Sequence, residues 1–415
     1  MGCSMKSYIF LTFNDFSQDD GGTIRMRGIV NALAEHNECV TLISNTQNYF
    51  KFDSNIEHIH LDYHVTKKYK QIFQISLSLL PQFVYRFLSY NFLNKMKNLF
   101  ENNNIDTRAI FFFEYFDNSV GCFLKKNHLI KDYINDMHGI APLEYKHKNI
   151  AGIIQKLENN LKLKIVTNLD KKVILEAKKL LFVSEAMKQY YEEKYPEIAR
   201  NHNLILRDGT TKELCSQKVD AKLLERLHKK YHVTEIDNII LFIGDFKDFG
   251  GIIDLIKAFV ILEKDGKMKN IKLLLIGNGE RYLDAVALVS EYNLDKKIIF
   301  MGRISYSNLR TYQELGDVIV CPDKAHRYSE LVPHIKYFDS LLSEKIVVNG
   351  DFQSIREIDR NEKFSILFDP SNINDLADKI QYALQNRDML KSKFMKNKDK
   401  ICKEYVYSNT VKVLM

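Results

Sequence analysis

The sequence predicts an α/β protein made of two doubly wound domains. Three observations carry that expectation. Short, unbroken apolar runs recur along the chain, stretches with helical periodicity separate them, and the alternation starts afresh in the second half. Strands that are apolar at every position are buried on both faces, which is the signature of a parallel sheet covered by helices. Two such series of about 200 residues each fall within the usual size of a single domain.

The elements follow in order. The first run is Tyr8 to Phe13, and a helical stretch from about Thr23 to Glu35 leads to the second, Cys39 to Ser44. Further runs are Ala109–Phe113, Lys131–Asn135 and Leu180–Ser184. After a short run, Leu204–Leu206, and the glycine at 209, a Lys/Glu-rich stretch separates the halves. The second series is Asn238–Ile243, Ile271–Ile276, Ile298–Met301, Val318–Cys321 and Ile346–Val348. The organisation expected is a first domain over 1–210, a linker over 211–236, a second domain over 237–390 and a C-terminal helix over 391–415 that crosses back to the first domain.

Composition narrows the classes. The 415 residues are 45% hydrophobic, which excludes disorder over most of the chain. The apolar runs are too short or too charged for a spanning helix. A net charge of +7 is mild and gives no reason to expect nucleic acid. The six cysteines are scattered with no C-x-x-C pair and no zinc-like spacing, so no metal site is expected, and reduced thiols in a cytoplasmic setting are.

Five stretches could carry chemistry. The loop Asp19-Asp-Gly-Gly-Thr23 opens a helix, where glycines admit a ligand and the helix N-terminus favours an anion. Asp136-Met-His-Gly139 ends an apolar strand, and the carboxyl ends of strands are where open α/β sheets bind ligands. An imidazole at 138 suits proton transfer or a sugar hydroxyl, while the plain alternative is a loop histidine bonded to backbone. The loop Gly244–Gly251 joins a strand to a helix, and Lys247 within it offers a charge to a phosphate or simply points to solvent. In Ser329 to Asp339, a helix starting near His334 puts Lys336 in its first turn and Asp339 three residues on. That pair suits a diphosphate and a ribose diol, or forms an ordinary ion pair. Finally, no Asp or Glu occurs from Tyr63 to Phe100, which holds Lys67, Lys68, Lys70, Arg86, Lys95 and Lys97. Leu80, Phe83, Val84, Phe87, Leu88 and Phe92 recur there at helical spacing, as in a helix lying on an anionic membrane or one facing a core.

The ordered series Gly244–Ala258, Leu273–Gly279, Ile298–Gly302, Leu315–Pro322, Pro333–Val348 and Phe368–Ser371 resembles the glycosyltransferases of family 4. The loop at Gly21 and Gly22, Val183-Ser184 and the Arg207-Asp-Gly209 turn fit the same resemblance. It implies the GT-B architecture: two Rossmann-like domains facing across a cleft. It also implies metal-independent, retaining transfer of a sugar from a nucleotide donor, with no cofactor. The donor would be held by Gly244, Asp245, Lys247, Arg303, Ile304, Glu330, Lys336 and Asp339. Gly21 and Gly22 would approach the diphosphate or acceptor, and His138 and Lys336 would act in catalysis. The acceptor implied is a glycan or lipid-linked glycan of surface polysaccharide assembly. An anionic membrane contact through residues 63–100 would make the chain peripheral on the inner face of the membrane.

Some positions depart from the family. Asp245 and Gly250 stand where it usually has Arg and Lys on the donor diphosphate, and Asp339 replaces a Glu. Glu344 and Ile346 replace a usual Gly and Pro. These departures motivate a rival expectation, a GT-B-shaped partner subunit without donor binding. A nucleotide-sugar epimerase of the same architecture is the remaining alternative.

Overall fold

The computed structural model describes residues 7–47, 52–63, 65–113, 115–146, 153–394 and 396–415. The chain divides into two compact units, one of residues 1–207 with 408–415 and the other of residues 208–407.

The first unit begins with β1 (Ser7–Leu11), α1 (Gly21–Glu35), β2 (Cys39–Ser44) and β3 (Ile56–His60). Three helices follow: α2 (Lys67–Leu79), α3 (Gln82–Leu88) and α4 (Tyr90–Asn102). Next come β4 (Ile110–Phe112), α5 (Tyr115–Lys126), β5 (Tyr133–Met137), α6 (Ala141–Lys146) and α7 (Ile153–Glu176). The unit continues with β6 (Lys179–Phe182), α8 (Glu185–Lys194) and β7 (Leu204–Ile205). Its seven strands form one parallel sheet in the order β3-β2-β1-β4-β5-β6-β7. The order reverses between β1 and β4, so the loops after those strands diverge and leave room for a ligand. Asp20 starts α1 by accepting the Thr23 amide and hydroxyl hydrogens. Aromatic packing fixes the helices beside the sheet: the Phe73 ring of α2 lies 5.9, 5.5 and 5.0 Å from those of Phe92, Phe116 and Phe123.

The second unit opens with α9 (Lys212–Ser216) and α10 (Ala221–Tyr231), so the expected linker is helical and belongs to this unit. It continues with β8 (Asn238–Ile243), α11 (Ile252–Asp265), β9 (Ile271–Ile276), α12 (Tyr282–Glu291), β10 (Ile298–Gly302) and α13 (Leu309–Gln313). Then follow β11 (Val318–Cys321), α14 (Arg327–Leu331), α15 (Ile335–Leu341), β12 (Ile346–Gly350), α16 (Gln353–Arg356) and β13 (Ile366–Phe368). Helices α17 (Ile373–Gln385), α18 (Arg387–Phe394), α19 (Asn397–Glu404) and α20 (Tyr407–Thr410) close the chain. The six strands are parallel in the order β10-β9-β8-β11-β12-β13, with the switch between β8 and β11. Alternate residues of one strand feed opposite layers. Ile240 and Phe242 join Leu255 and Phe259 of α11 and Ile380 of α17. Ile239 and Leu241 join Leu227 of α10 and Leu315 on the other face.

Four expectations need correction. The run expected at 131–135 forms a strand two residues later, as β5, which draws Asp136 out of the loop and into the sheet. The apolar spacing of 80–92 does not make one helix: Pro81, which has no amide hydrogen, separates α2 from α3, and Ser89 separates α3 from α4. Residues 391–415 are not one helix but the end of α18, then α19, α20 and a 3-10 turn. Strands β3 and β13 were not expected, because His58 and His60 dilute the first and the second is only three residues long. Residues 408–415 group with the first unit, where Ser408 donates to Glu35 and Tyr8 to the Leu414 carbonyl.

Candidate functional site

Within the first unit, the sequence around β5 builds a buried electrostatic chain. Arg25 of α1 donates from Nε and Nη2 to the two Asp136 oxygens at 2.8 and 2.6 Å, and again from Nη2 to the Leu206 carbonyl at 2.9 Å. His138 Nδ1–H donates to Asp136 Oδ2 at 2.9 Å. Burial would raise the Asp136 pKa, but the Arg25 charge and hydrogen bonds, helped by His138, hold it well below the carboxylate range. The carboxylate thus keeps a proton on His138 Nδ1 and orients the ring.

His138 lines a cavity of about 270 Å³ with Lys70 and Gln74 of α2, Tyr115 and Asn118 of α5, and Asp170 of α7. Tyr115 donates to Glu144 at 2.6 Å. A Cβ on Gly139 would fall 2.2 Å from that phenol oxygen, so only glycine lets the tyrosine reach across the loop. Asn118 is buried, and its Oδ1 has no hydrogen-bond partner among the described residues. An uncompensated acceptor in a cavity wall suits a ligand hydroxyl. Burial pushes Asp170 up to about 6, against the pull of Lys194 and Tyr191.

In the second unit, the loops after β8 and β11 converge at the sheet's switch point. Lys336 of α15 packs its Cδ 3.5 Å from the Cβ position of Gly244, and its Nζ donates to Asp323 at 2.8 Å. Phe249 stacks on His334 with centroids 6.0 Å apart and lies 5.2 Å from Tyr328, while Lys247 Nζ stands 5.5 Å above the Phe249 ring. Burial pushes His334 down to about 4, beyond what the Asp323 charge restores, so the imidazole is neutral near pH 7. Glycine is required where the loops touch. Gly251 has φ of +70°, and a Cβ there would fall 1.5 Å from the Pro322 oxygen.

The expected site residues separate into groups. Gly244, Lys247 and Lys336 meet at one edge, joined by Asp323, Phe249 and His334. Asp245 is not an unopposed negative charge, because Arg303 Nη2 lies 2.9 Å from it. Ile304 packs into the hydrophobic clusters around Leu309 and Leu315. Glu330 accepts the Gln353 amide at 2.8 Å, which ties it to the start of α16. Asp339 does not share partners with Lys336. It is buried and accepts from the Thr210 and Tyr306 hydroxyls at 3.0 and 3.1 Å, and burial pushes it up to about 7. Gly21 and Gly22 open α1, where the Asp20 carboxylate already takes the Thr23 amide.

Sequence reasoning missed Arg25, Asn118, Asp323 and Tyr306. Asp323 had a positional signal, since it follows the strand Val318–Cys321. Arg25 and Asn118 lie within helical stretches, where only the fold decides which side faces the cavity.

Comparisons with known proteins fit this arrangement. The sequence profile of the glycosyl transferases group 1 matches residues 225–401. Over 82 residues, 19% of this chain, the sequence is 27% identical to the N-acetyl-alpha-D-glucosaminyl L-malate synthase of Bacillus anthracis, and the match spans 20% of that relative's length. The chain superposes on sucrose-phosphate synthase from Thermosynechococcus elongatus with TM-score 0.74 and 15% identity, covering 99% of this chain and 97% of that one. Anabaena HepE in complex with UDP-glucose gives TM-score 0.66 and 13% identity, with 98% of each chain covered. The fold is therefore GT-B, two parallel-sheet α/β domains, and the second unit carries a sequence similarity to the group 1 glycosyl transferases.

Proposed function

We propose that the chain is a retaining glycosyltransferase that moves a sugar from a nucleotide donor to a glycan or lipid-linked acceptor without a bound metal. The observation that carries this reading is the convergence of Lys247 and Lys336 on the β8 and β11 loops, inside the residues matching the family. Two cations at a switch point suit the leaving diphosphate, and each well-aimed donor there is worth about 3 kcal/mol in the transition state. The UDP-glucose held by the Anabaena structure supports UDP sugars as the first donors to try.

His138 and Asn118 are the groups of the first unit suited to an acceptor hydroxyl. No side chain is assigned as nucleophile, so the displacement is a front-face one, with a donor phosphate oxygen accepting the hydroxyl proton. The Thr210 and Tyr306 hydroxyls both bond Asp339 Oδ1, so a contact of this carboxyl with ribose falls to Oδ2. The setting we infer is surface polysaccharide assembly at the cytoplasmic face of a membrane.

The test is incubation of the purified chain with a panel of nucleotide sugars and extracted lipid or glycan acceptors, with and without EDTA. Product formed in EDTA with its anomeric configuration kept is the expected result. Inertia toward every donor overturns the reading. The rival, a partner subunit that binds no donor, is favoured by the engagement of Lys336 with Asp323. Calorimetry with UDP and GDP separates the two: binding that Lys336→Met weakens excludes the rival.

A further inference from the structure

We propose that the face formed by α2, α3 and α4 docks on an anionic phospholipid bilayer and presents a lipid-anchored acceptor to the cavity at His138. The acceptor part rests on the glycosyl-transfer reading; the docking part stands without it.

Helix α2 has two apolar sides. Phe73 and Leu77 are buried against the unit, and Lys70 and Gln74 reach the cavity. Ile72, Ile75 and Leu79 are exposed on the side away from that core. The stripe continues in α3, where Tyr85 alone is buried, its ring 5.6 Å from Phe123. Phe83 and Phe87, one turn apart, are 75% and 81% exposed, and Leu88 and Tyr90 beside them are exposed too. A helix serving only the core would keep such residues inward; this one spends one ring on the core and turns two out.

The charge around this stripe fits one occupant. Lys67, Lys68, Arg86, Lys95 and Lys97 are exposed, and no acid occurs between 63 and 100. Exposed aromatics with basic neighbours match an anionic lipid surface, where rings enter the acyl boundary and cations meet phosphates; the one acid of these three helices is Glu101 near the end of α4, 3.7 Å from Lys97. Each basic residue near such a surface strengthens binding by about fivefold. Since α2 also lines the cavity, a bilayer held on its outer side brings a lipid headgroup to the sugar-binding wall.

The chain contains no tryptophan, so one introduced residue is a clean probe. Phe87→Trp should shift its emission to the blue and be quenched by brominated lipid in phosphatidylglycerol-rich vesicles at low salt. Leu283→Trp, on exposed α12 of the second unit, should do neither. Sedimentation of the full chain with these vesicles should weaken about tenfold for Phe83→Ser/Phe87→Ser and for Lys67→Glu/Lys68→Glu/Arg86→Glu. Because all these side chains are exposed, circular dichroism should show both variants folded. No association with anionic vesicles, or association unchanged in both variants, overturns the proposal. So does self-association of the chain in ultracentrifugation that Phe83→Ser/Phe87→Ser abolishes, which makes the face an interface between copies. The vesicle readings need no donor or acceptor, so failure of docking and failure of sugar transfer are told apart.

Discussion

Arg25 and Asp136, 111 residues apart, form a two-bond ion pair with both side chains buried, and His138 hangs on the same carboxylate. The pair joins α1 to β5 and sets the imidazole that faces the cavity. Removing one member strands the other charge in low dielectric. Arg25→Met should cost about 3–5 kcal/mol in urea unfolding, and Arg25→Met/Asp136→Leu should recover part of it.

His138→Ala should leave stability near wild type, because Asp136 keeps Arg25. Because the imidazole orients the acceptor hydroxyl by a hydrogen bond while a donor phosphate oxygen takes its proton, kcat should fall by about tenfold with little change in donor KM. A rate within a factor of about two of wild type removes His138 from the chemistry.

Lys336→Met should weaken UDP binding in calorimetry by at least about tenfold, the usual loss for one charge-assisted hydrogen bond. Lys336→Arg keeps the charge and its pairing with Asp323, and should retain most of the affinity.

Asp339 carries a pH signature. Its folded pKa of about 7 lies above the ordinary carboxylate value, so between those limits the folded state holds a proton that the unfolded state has released. Its contribution to stability therefore falls as pH rises from about 4 to about 7. Asp339→Asn removes the titration, so the variant should gain stability relative to wild type across that window, by up to a few kcal/mol at pH 7. Denaturant melts at several pH values read the difference, and parallel curves would show the carboxyl is not held protonated.

Gly251→Ala should destabilise the second unit by at least about 2 kcal/mol in thermal melts, because its left-handed backbone and the Pro322 oxygen both exclude a Cβ.

Much of the fold was legible from local pattern. The runs 39–44, 238–243, 271–276 and 318–321 coincide with β2, β8, β9 and β11, because a strand buried on both faces is apolar at most positions, with polar residues such as Asn238 and Lys272 near its start. The pattern failed where it had to carry non-local information. Phe83 and Phe87 keep helical spacing, yet they point outward, since periodicity gives a face and not its neighbour. Lys336 and Asp339 are one turn apart in sequence, yet Asp323 claims one while Thr210 and Tyr306 claim the other.

The sequence by itself determined the two parallel-sheet units and the loops at the strand ends, because backbone pairing and burial follow from short-range residue order. Tertiary structure decided which charges meet. Arg25 reaches Asp136 and Arg303 reaches Asp245 only after the sheets assemble, and a buried or paired charge takes its chemistry from whatever the fold sets beside it.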